Sequence, residues 1–309
     1  MKILMLGAGG VGGYFGGRLA QSGADVAFLV RPGRRDQLLR DGLVLRSPLG
    51  DAVTPVRALT ADQVSPGYDL VILTCKAYDL DAALDAISPA MNGDCAVLPL
   101  LNGMEQLGRL DARFGAAAVM GGTCQINVNL GSDGVVTHTA PLNRLLFGER
   151  DRTRRPRAQA LSALLAKTTI DWAWSDDIEQ DMWEKMTFLA AFAAATCLFR
   201  GNVAEILAAP EGRALATRCY RDLVAIATAE GHAPRPPMLS WSLDRLTTPG
   251  PQSSSMLRDL EAGRPVEADH VVGHALTLAR AHGIDDTILS LAYTHLKTYE
   301  ARRAVGRLR

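Results

Sequence analysis

Two hydrophobic rhythms divide the chain. Through residues 1–173, short aliphatic runs recur between turn residues, at 3–6, 25–30, 68–73 and 95–101. Continuous runs of this length mark strands covered on both faces, as in a parallel sheet. A helix-compatible stretch follows the first run as far as Leu19, and shorter helical patterns occupy 79–87 and 158–166. Residues 42–56 mix β-formers with turn residues and predict an edge hairpin. Residues 116–120 read as a further strand, and 125–130, 135–140 and 143–147 read as antiparallel strands. Residues 168–173 are placed to close the first domain. From Asp176 the pattern turns helical. The stretch 182–199 is almost wholly apolar and alanine-rich, which predicts a helix buried on most sides, with Asp176 as its N-cap. Further helices are expected at 210–230, 252–262, 266–282 and 286–304. The expectation is an α/β chain, with an N-terminal Rossmann-type doubly wound sheet over residues 1–173 and an all-α C-terminal domain over 174–309.

The first run stops at Gly7-Ala8-Gly9-Gly10-Val11-Gly12, where Gly7, Gly9 and Gly12 satisfy G-x-G-x-x-G between a strand and a helix. Gly7 permits the tight turn, Gly9 lets a pyrophosphate approach the backbone, and Gly12 lets the helix pack close to the strand. The helix start would point its N–H groups and its positive dipole end at the phosphates. The reading is a dinucleotide site.

The second run ends at Arg31, with Arg34 and Arg35 behind it and Asp36 as the nearest acid. Where an NAD-selective unit places a carboxylate for the ribose hydroxyls, this chain offers cations, which suit a 2′-phosphate. NADP(H) is therefore expected over NAD(H). One of Arg34 and Arg35 reads as an ordinary solvated residue of a helix start. Thr74-Cys75-Lys76 ends the third run and Asn102-Gly103-Met104 the fourth. Both lie at strand carboxyl ends, where such sheets bind ligands, so Lys76 and Asn102 are candidate cofactor- or substrate-facing groups. His138 lies inside an expected strand and reads as structural.

Composition narrows the picture. The chain has 309 residues, 33 basic and 33 acidic, and a formal net charge of zero, which argues against a general nucleic-acid binder. No apolar run reaches the length of a membrane span, and Met1 leads straight into a strand. The five cysteines are scattered and never form C-x-x-C. They read as buried thiols of a cytoplasmic protein.

Lys185 is the exception on the apolar helix. It either snorkels from the rim or is placed for proton transfer, and burial would lower its pKa toward neutrality. Residues 253–256 (SSSM) can cap a helix or present hydroxyls to a ligand. Glu267, His270 and His274 have the spacing of one helix face, as a metal site needs. An acid at a helix start is the simpler account of Glu267, and no metal is expected.

Taken together these pieces resemble the ketopantoate reductase (2-dehydropantoate 2-reductase) family over nearly the whole chain. The likeness rests on Gly7 to Gly12, on Arg31, on residues 74–77 (TCKA), 101–104 (LNGM) and 183–186 (WEKM), and on 253–273 (SSSMLRDLEAGRPVEADHVVG). It implies NADPH-dependent reduction of a 2-oxo acid to the 2-hydroxy acid in a cleft between the two domains, in the manner of ketopantoate to pantoate. By the same resemblance Lys185 would protonate the substrate oxygen. Asn102 would contact cofactor and substrate and position Lys185. Ser255 would bond the substrate, Glu267 would bond near the cofactor, and Lys76 and Asn127 match cofactor contacts. A homodimer is compatible with the apolar helical half.

There are departures. Where the family carries asparagines four and eight residues after the lysine, this chain has Leu189 and Ala193. Val272 stands where another asparagine is common, and Asn202 matches a further one only with a one-residue slip. A site without these amides would discriminate by shape and apolar contact, so a bulkier or less polar 2-oxo compound is the alternative substrate. Two other readings stay open at this point, a weakly catalytic NADP-binding sensor and a dehydrogenase working oxidatively on a 2-hydroxy compound.

Overall fold

The computed structural model describes residues 1–307. The chain forms two compact units, one of residues 1–101 and 106–181, the other of 102–105 and 182–309.

The first unit is built on a five-stranded parallel sheet. Its strands are β1 (Lys2–Leu6), β2 (Asp25–Leu29), β5 (Arg57–Leu59), β6 (Leu70–Leu73) and β7 (Ala96–Pro99), in the spatial order β5-β2-β1-β6-β7. This is the order of a dinucleotide-binding half, with the reversal of direction at β1 and β6. A second, mixed sheet contains β3 (Leu43–Arg46), β4 (Ala52–Thr54), β8 (Gly121–Leu130), β9 (Val136–Gly148) and β10 (Asp171–Trp174). The strands β3 and β4 form the expected hairpin.

Helix α1 (Gly10–Gln21) lies between these two sheets, and every residue from Gly12 to Leu19 is buried. Its glycines answer to both sides. A Cβ at Gly16 would meet the Phe28 ring of β2 at 2.7 Å, one at Gly13 would meet Val136 of β9 at 2.7 Å, and one at Gly17 would meet Leu43 of β3 at 2.8 Å. The glycine content of this stretch therefore serves close packing as well as the turn. The surrounding helices are α2 (Pro32–Asp41), α3 (Leu80–Ile87), α4 (Glu105–Phe114) and α5 (Pro156–Leu165).

Two expectations in this half need correction. Residues 116–118 are a 3-10 turn rather than a strand, and only Val119 pairs, with Val97. Three alanines in a row carry no β-branched side chain to hold a sheet, and Gly115 at φ 82° turns the chain just before them. The three expected antiparallel strands are two, β8 and β9. Between the pairs Ile126–Asn143 and Val128–His138 the register shifts. Residues 139–142 thus face Asn127 alone, and this bulge absorbs Pro141, which cannot donate to a ladder. Helix α4 carried no prediction. His138 is structural as expected. Its Nε2 donates to the Leu142 carbonyl at 3.1 Å, which leaves Nδ1 to accept from Ser47 Oγ at 2.9 Å.

The second unit is helical, with α6 (Ile178–Phe199) entering it at Met182, followed by α7 (Val203–Ala208), α8 (Gly212–Ala229), α9 (Pro236–Thr247), α10 (Ser255–Glu261), α11 (His274–Ala281) and α12 (Thr287–Ala304). Asp176 is not the cap of α6. It precedes the first helical residue by two positions, and its carboxylate accepts from Trp174 Nε1 and Arg154. The expected helix 210–230 starts at Gly212, after Pro210 and a left-handed Glu211 at φ 62°. Helices α7 and α9 are additional. The expected helix 266–282 is interrupted by a π-helical turn, Asp269–Gly273, before α11. By length and composition α6 could cross a membrane, contrary to the expectation that no segment could. However, 61% of its most apolar window is buried inside the protein, as in a core helix.

Candidate active site

The carboxyl ends of β1 and β6 are joined by one side chain. Thr74 donates both its N–H (3.1 Å) and its hydroxyl (2.7 Å) to the Leu6 carbonyl. Gly7 follows at φ 97°, a conformation that disfavours a side chain. A Cβ at Gly12 would lie 2.2 Å from the Gly7 carbonyl oxygen and 2.3 Å from Thr74 Oγ1, so this position admits only glycine. Gly9, the N-cap of α1, is the opposite case, since nothing lies within 4 Å of where its Cβ would stand. The first turn of α1 contains no acid. An open approach to a helix N-terminus without nearby negative charge fits the pyrophosphate of a dinucleotide.

Arg34 holds this turn from beneath. Its Nε and Nη2 donate to the Ala8 carbonyl at 3.2 and 3.0 Å, and its Nη1 donates to Gln37 Oε1 and the Gly134 carbonyl, each at 2.8 Å. Burial pushes its pKa below the ordinary arginine value. Arg34 is therefore a built-in strut rather than a solvated helix-start residue, a role the sequence reading missed. Arg35 is the one that pairs locally, with Asp36. Arg31 is the N-cap of α2, with 84% of its side chain exposed, and its Nη2 bonds both Asp79 carboxylate oxygens at 3.1 and 3.2 Å. Lys76 is exposed just beyond β6, where it precedes the 3-10 turn Ala77–Asp79. Asn127 is exposed at the bulge of β8.

In the second unit Lys185 is half-buried on α6, and its Nζ donates to Asn102 Oδ1 at 3.3 Å. The two residues are brought together because the short segment Asn102–Glu105 clusters with the helices rather than with the sheet that precedes it. Helix α6 is fixed next to the lysine by Glu184, which is 7% exposed. The Glu184 carboxylate accepts from the Arg235 N–H and Nε, each at 2.7 Å, and from its Nη2 at 2.6 Å. A buried acid in an apolar helix was the available signal for this anchor. Leu189 is half-buried and Ala193 fully buried on the same helix.

Ser255 is the first residue of α10 and Ser254 its N-cap, with the Ser254 hydroxyl accepting from the Leu257 N–H at 3.0 Å. This bears out the capping role expected of the serine run. Glu267 is 8% exposed and stands just ahead of the π-turn, where its carbonyl accepts from the Val271 N–H. Among the described residues no group of three or more His, Cys, Asp or Glu side chains is arranged to hold a metal ion. The thiols of Cys95, Cys197 and Cys219 are pushed up to about 11, 12 and 12 by desolvation, which makes them poor nucleophiles.

Comparison with known proteins agrees across both units. The family model "Ketopantoate reductase PanE/ApbA" matches residues 3–152, and "Ketopantoate reductase PanE/ApbA C terminal" matches 177–300. The uncharacterized oxidoreductase YkpB of Bacillus subtilis (strain 168) is 35% identical over 98% of this chain and 100% of its own length. A 2-dehydropantoate 2-reductase of Mesorhizobium japonicum is 28% identical over 91% of this chain and 92% of its own. The crystal structure of a PanE/ApbA family ketopantoate reductase from Ralstonia eutropha JMP134 superposes with a TM-score of 0.89 at 25% identity, covering 98% of this chain and 100% of that one.

Proposed function

The chain belongs to the ketopantoate reductase family and is an oxidoreductase acting on CH–OH groups; from this premise we propose that it uses NADPH to reduce a 2-oxo acid to the 2-hydroxy acid. The observation that carries the proposal is the hydrogen bond between Lys185 and Asn102. An ammonium has three donors. With one given to Asn102, two remain for a substrate oxygen. A nicotinamide dinucleotide, when bound, would supply the hydride for the carbonyl carbon. Lys185 Nζ polarises the carbonyl and gives its proton to the oxygen as charge develops there. Asn102 restrains an otherwise flexible side chain in that position.

The residues that would hold the cofactor are Gly7 to Gly12 at the pyrophosphate and Arg31 at a 2′-phosphate. Lys76, Asn102, Asn127 and Glu267 follow from the family likeness. The open side of Gly9 and the exposed guanidinium of Arg31 support this assignment. Ser255 would bind the substrate away from its reacting carbon.

Ketopantoate is the first substrate to test, given the relatives. The apolar Leu189 and Ala193 are the reason to extend the panel to branched and aromatic 2-oxo acids. A purely sensing role is not favoured, because the named relatives are oxidoreductases. The test is NADPH oxidation with ketopantoate and that panel, with NADH in parallel. Turnover of no 2-oxo acid would sink the proposal. A preference for another acid over ketopantoate would retain the chemistry and reassign the substrate.

A further inference from the structure

Two buried hydroxyls in the second unit have no part in the mechanism above. Thr196 on α6 is 0% exposed and Ser254 at the start of α10 is 2% exposed, and their oxygens are 2.7 Å apart. The direction of the bonding follows from the neighbours. The Leu257 N–H can only donate, so Ser254 Oγ accepts it at 3.0 Å. The Phe192 carbonyl can only accept, so Thr196 Oγ1 donates to it at 2.6 Å. The Ser254 hydroxyl therefore donates to Thr196 Oγ1, and a single chain of bonds runs from the α10 N-terminus into the backbone of α6. The surroundings are dry, since the adjacent Cys197 is 0% exposed.

Thr196 stands eleven residues after Lys185 on one continuous helix. Eleven residues at 3.6 per turn are about three turns, which returns Thr196 to within about 20° of the Lys185 face. The start of α10 is thus tied to the lysine's own face of α6, and Ser255 is the next residue along. Two apolar side chains would fill this place at little cost to stability, but they would leave α10 free to slide along α6. Directed bonds fix a register where apolar contact alone does not.

We propose that Thr196 and Ser254 are positioning residues that hold Ser255 at a set place along α6 from Lys185, so that one substrate meets both. This rests on the functional reading above, in which Lys185 gives the proton and Ser255 binds the substrate. In that reading Ser255 binds the substrate without taking part in the proton transfer, so its displacement should weaken ground-state and transition-state binding alike. That raises KM and leaves kcat in place.

The test is steady-state kinetics of the full chain with its best 2-oxo acid and NADPH. In T196V, KM for the oxo acid is expected to rise about tenfold, the loss of roughly one hydrogen bond, with kcat and the KM for NADPH within about twofold. T196S keeps the hydroxyl and should restore KM. In an S255A background T196V should add almost nothing, because its effect passes through Ser255. T196A, which removes bulk as well as the hydroxyl, takes the place of T196V if that variant fails to fold. An unchanged KM in T196V, a failure of T196S to rescue, or additivity with S255A would each overturn the proposal. The underlying reading fails separately, if S255A itself leaves KM unchanged or K185A leaves turnover unchanged.

Discussion

Lys185 and Asn102 stand 83 residues apart in sequence, yet the lysine's ammonium donates to the asparagine's side-chain oxygen at 3.3 Å. The pair separates two effects. K185A removes the proposed proton donor and should lower kcat by about 10²- to 10⁴-fold, the usual worth of a positioned acid. N102A leaves the donor but frees it, so kcat should fall less, with a rise in substrate KM. Stopped-flow reduction of the oxo acid, with NADPH binding followed separately by fluorescence, distinguishes lost chemistry from lost cofactor.

Gly9 and Gly12 should respond in opposite ways to the same methyl group. G12A drives a Cβ into the Gly7 carbonyl and Thr74 Oγ1, so the turn must move. Overpacking of this kind costs about 1–3 kcal/mol, and the melting temperature should drop by several degrees. G9A meets nothing and should melt close to the parent. Its methyl would stand in the proposed approach of the dinucleotide, so NADPH affinity should fall by about tenfold or more, as for loss of one or more charge-assisted bonds. Equal affinity in G9A and the parent would remove the pyrophosphate from this turn.

Arg31 is the residue proposed to read the 2′-phosphate. Its partner Asp79 is on the surface, and such an ion pair contributes little to stability, which leaves the guanidinium available to a 2′-phosphate. R31A should reduce the ratio of kcat/KM for NADPH over NADH by about 10- to 100-fold, with little change in melting temperature. D79N should leave the NADPH preference in place. A ratio indifferent to R31A would mean the 2′-phosphate is read elsewhere.

His274 predicts a dependence of stability on pH. Burial holds its pKa below the ordinary 6.5, with Glu105 and Glu230 pulling the other way and His270 adding to the lowering. As pH falls below about 6.5 the unfolded chain takes up a proton before the folded one does. Stability is therefore full above that value and declines as pH drops toward the folded pKa. Thermal melts between about pH 7.5 and 5.5 should show this decline, and H274Q should flatten it. A slope that H274Q leaves unchanged would assign the proton to another group.

The parts legible in sequence were those with short-range physical rules. Gly7 to Gly12, the aliphatic runs of β1, β2, β6 and β7 and the alanine-rich stretch of α6 each follow from local sterics or periodicity. A cap within residues 253–256 follows from the serine run before apolar residues, and the structure assigns it to Ser254. What escaped was set by contact. Arg34 gives no pattern that distinguishes it from Arg35, and only the Ala8 and Gly134 carbonyls, the latter 100 residues away, make it a strut. The π-turn at Asp269–Gly273 leaves no mark on hydrophobic spacing. Glu184 was passed over in favour of its neighbour Lys185, and its partner Arg235 carries no local signal.

The four residues Asn102–Glu105 also limit how this enzyme can be recombined. They group with the helices although the chain on either side of them groups with the sheet. A chimera that exchanges only residues 182–309 for those of a relative pairs a foreign lysine with the resident asparagine. On the proposed function, the module that sets substrate choice is discontinuous, and a functional exchange is expected to need the loop at 102–105 grafted together with the helices.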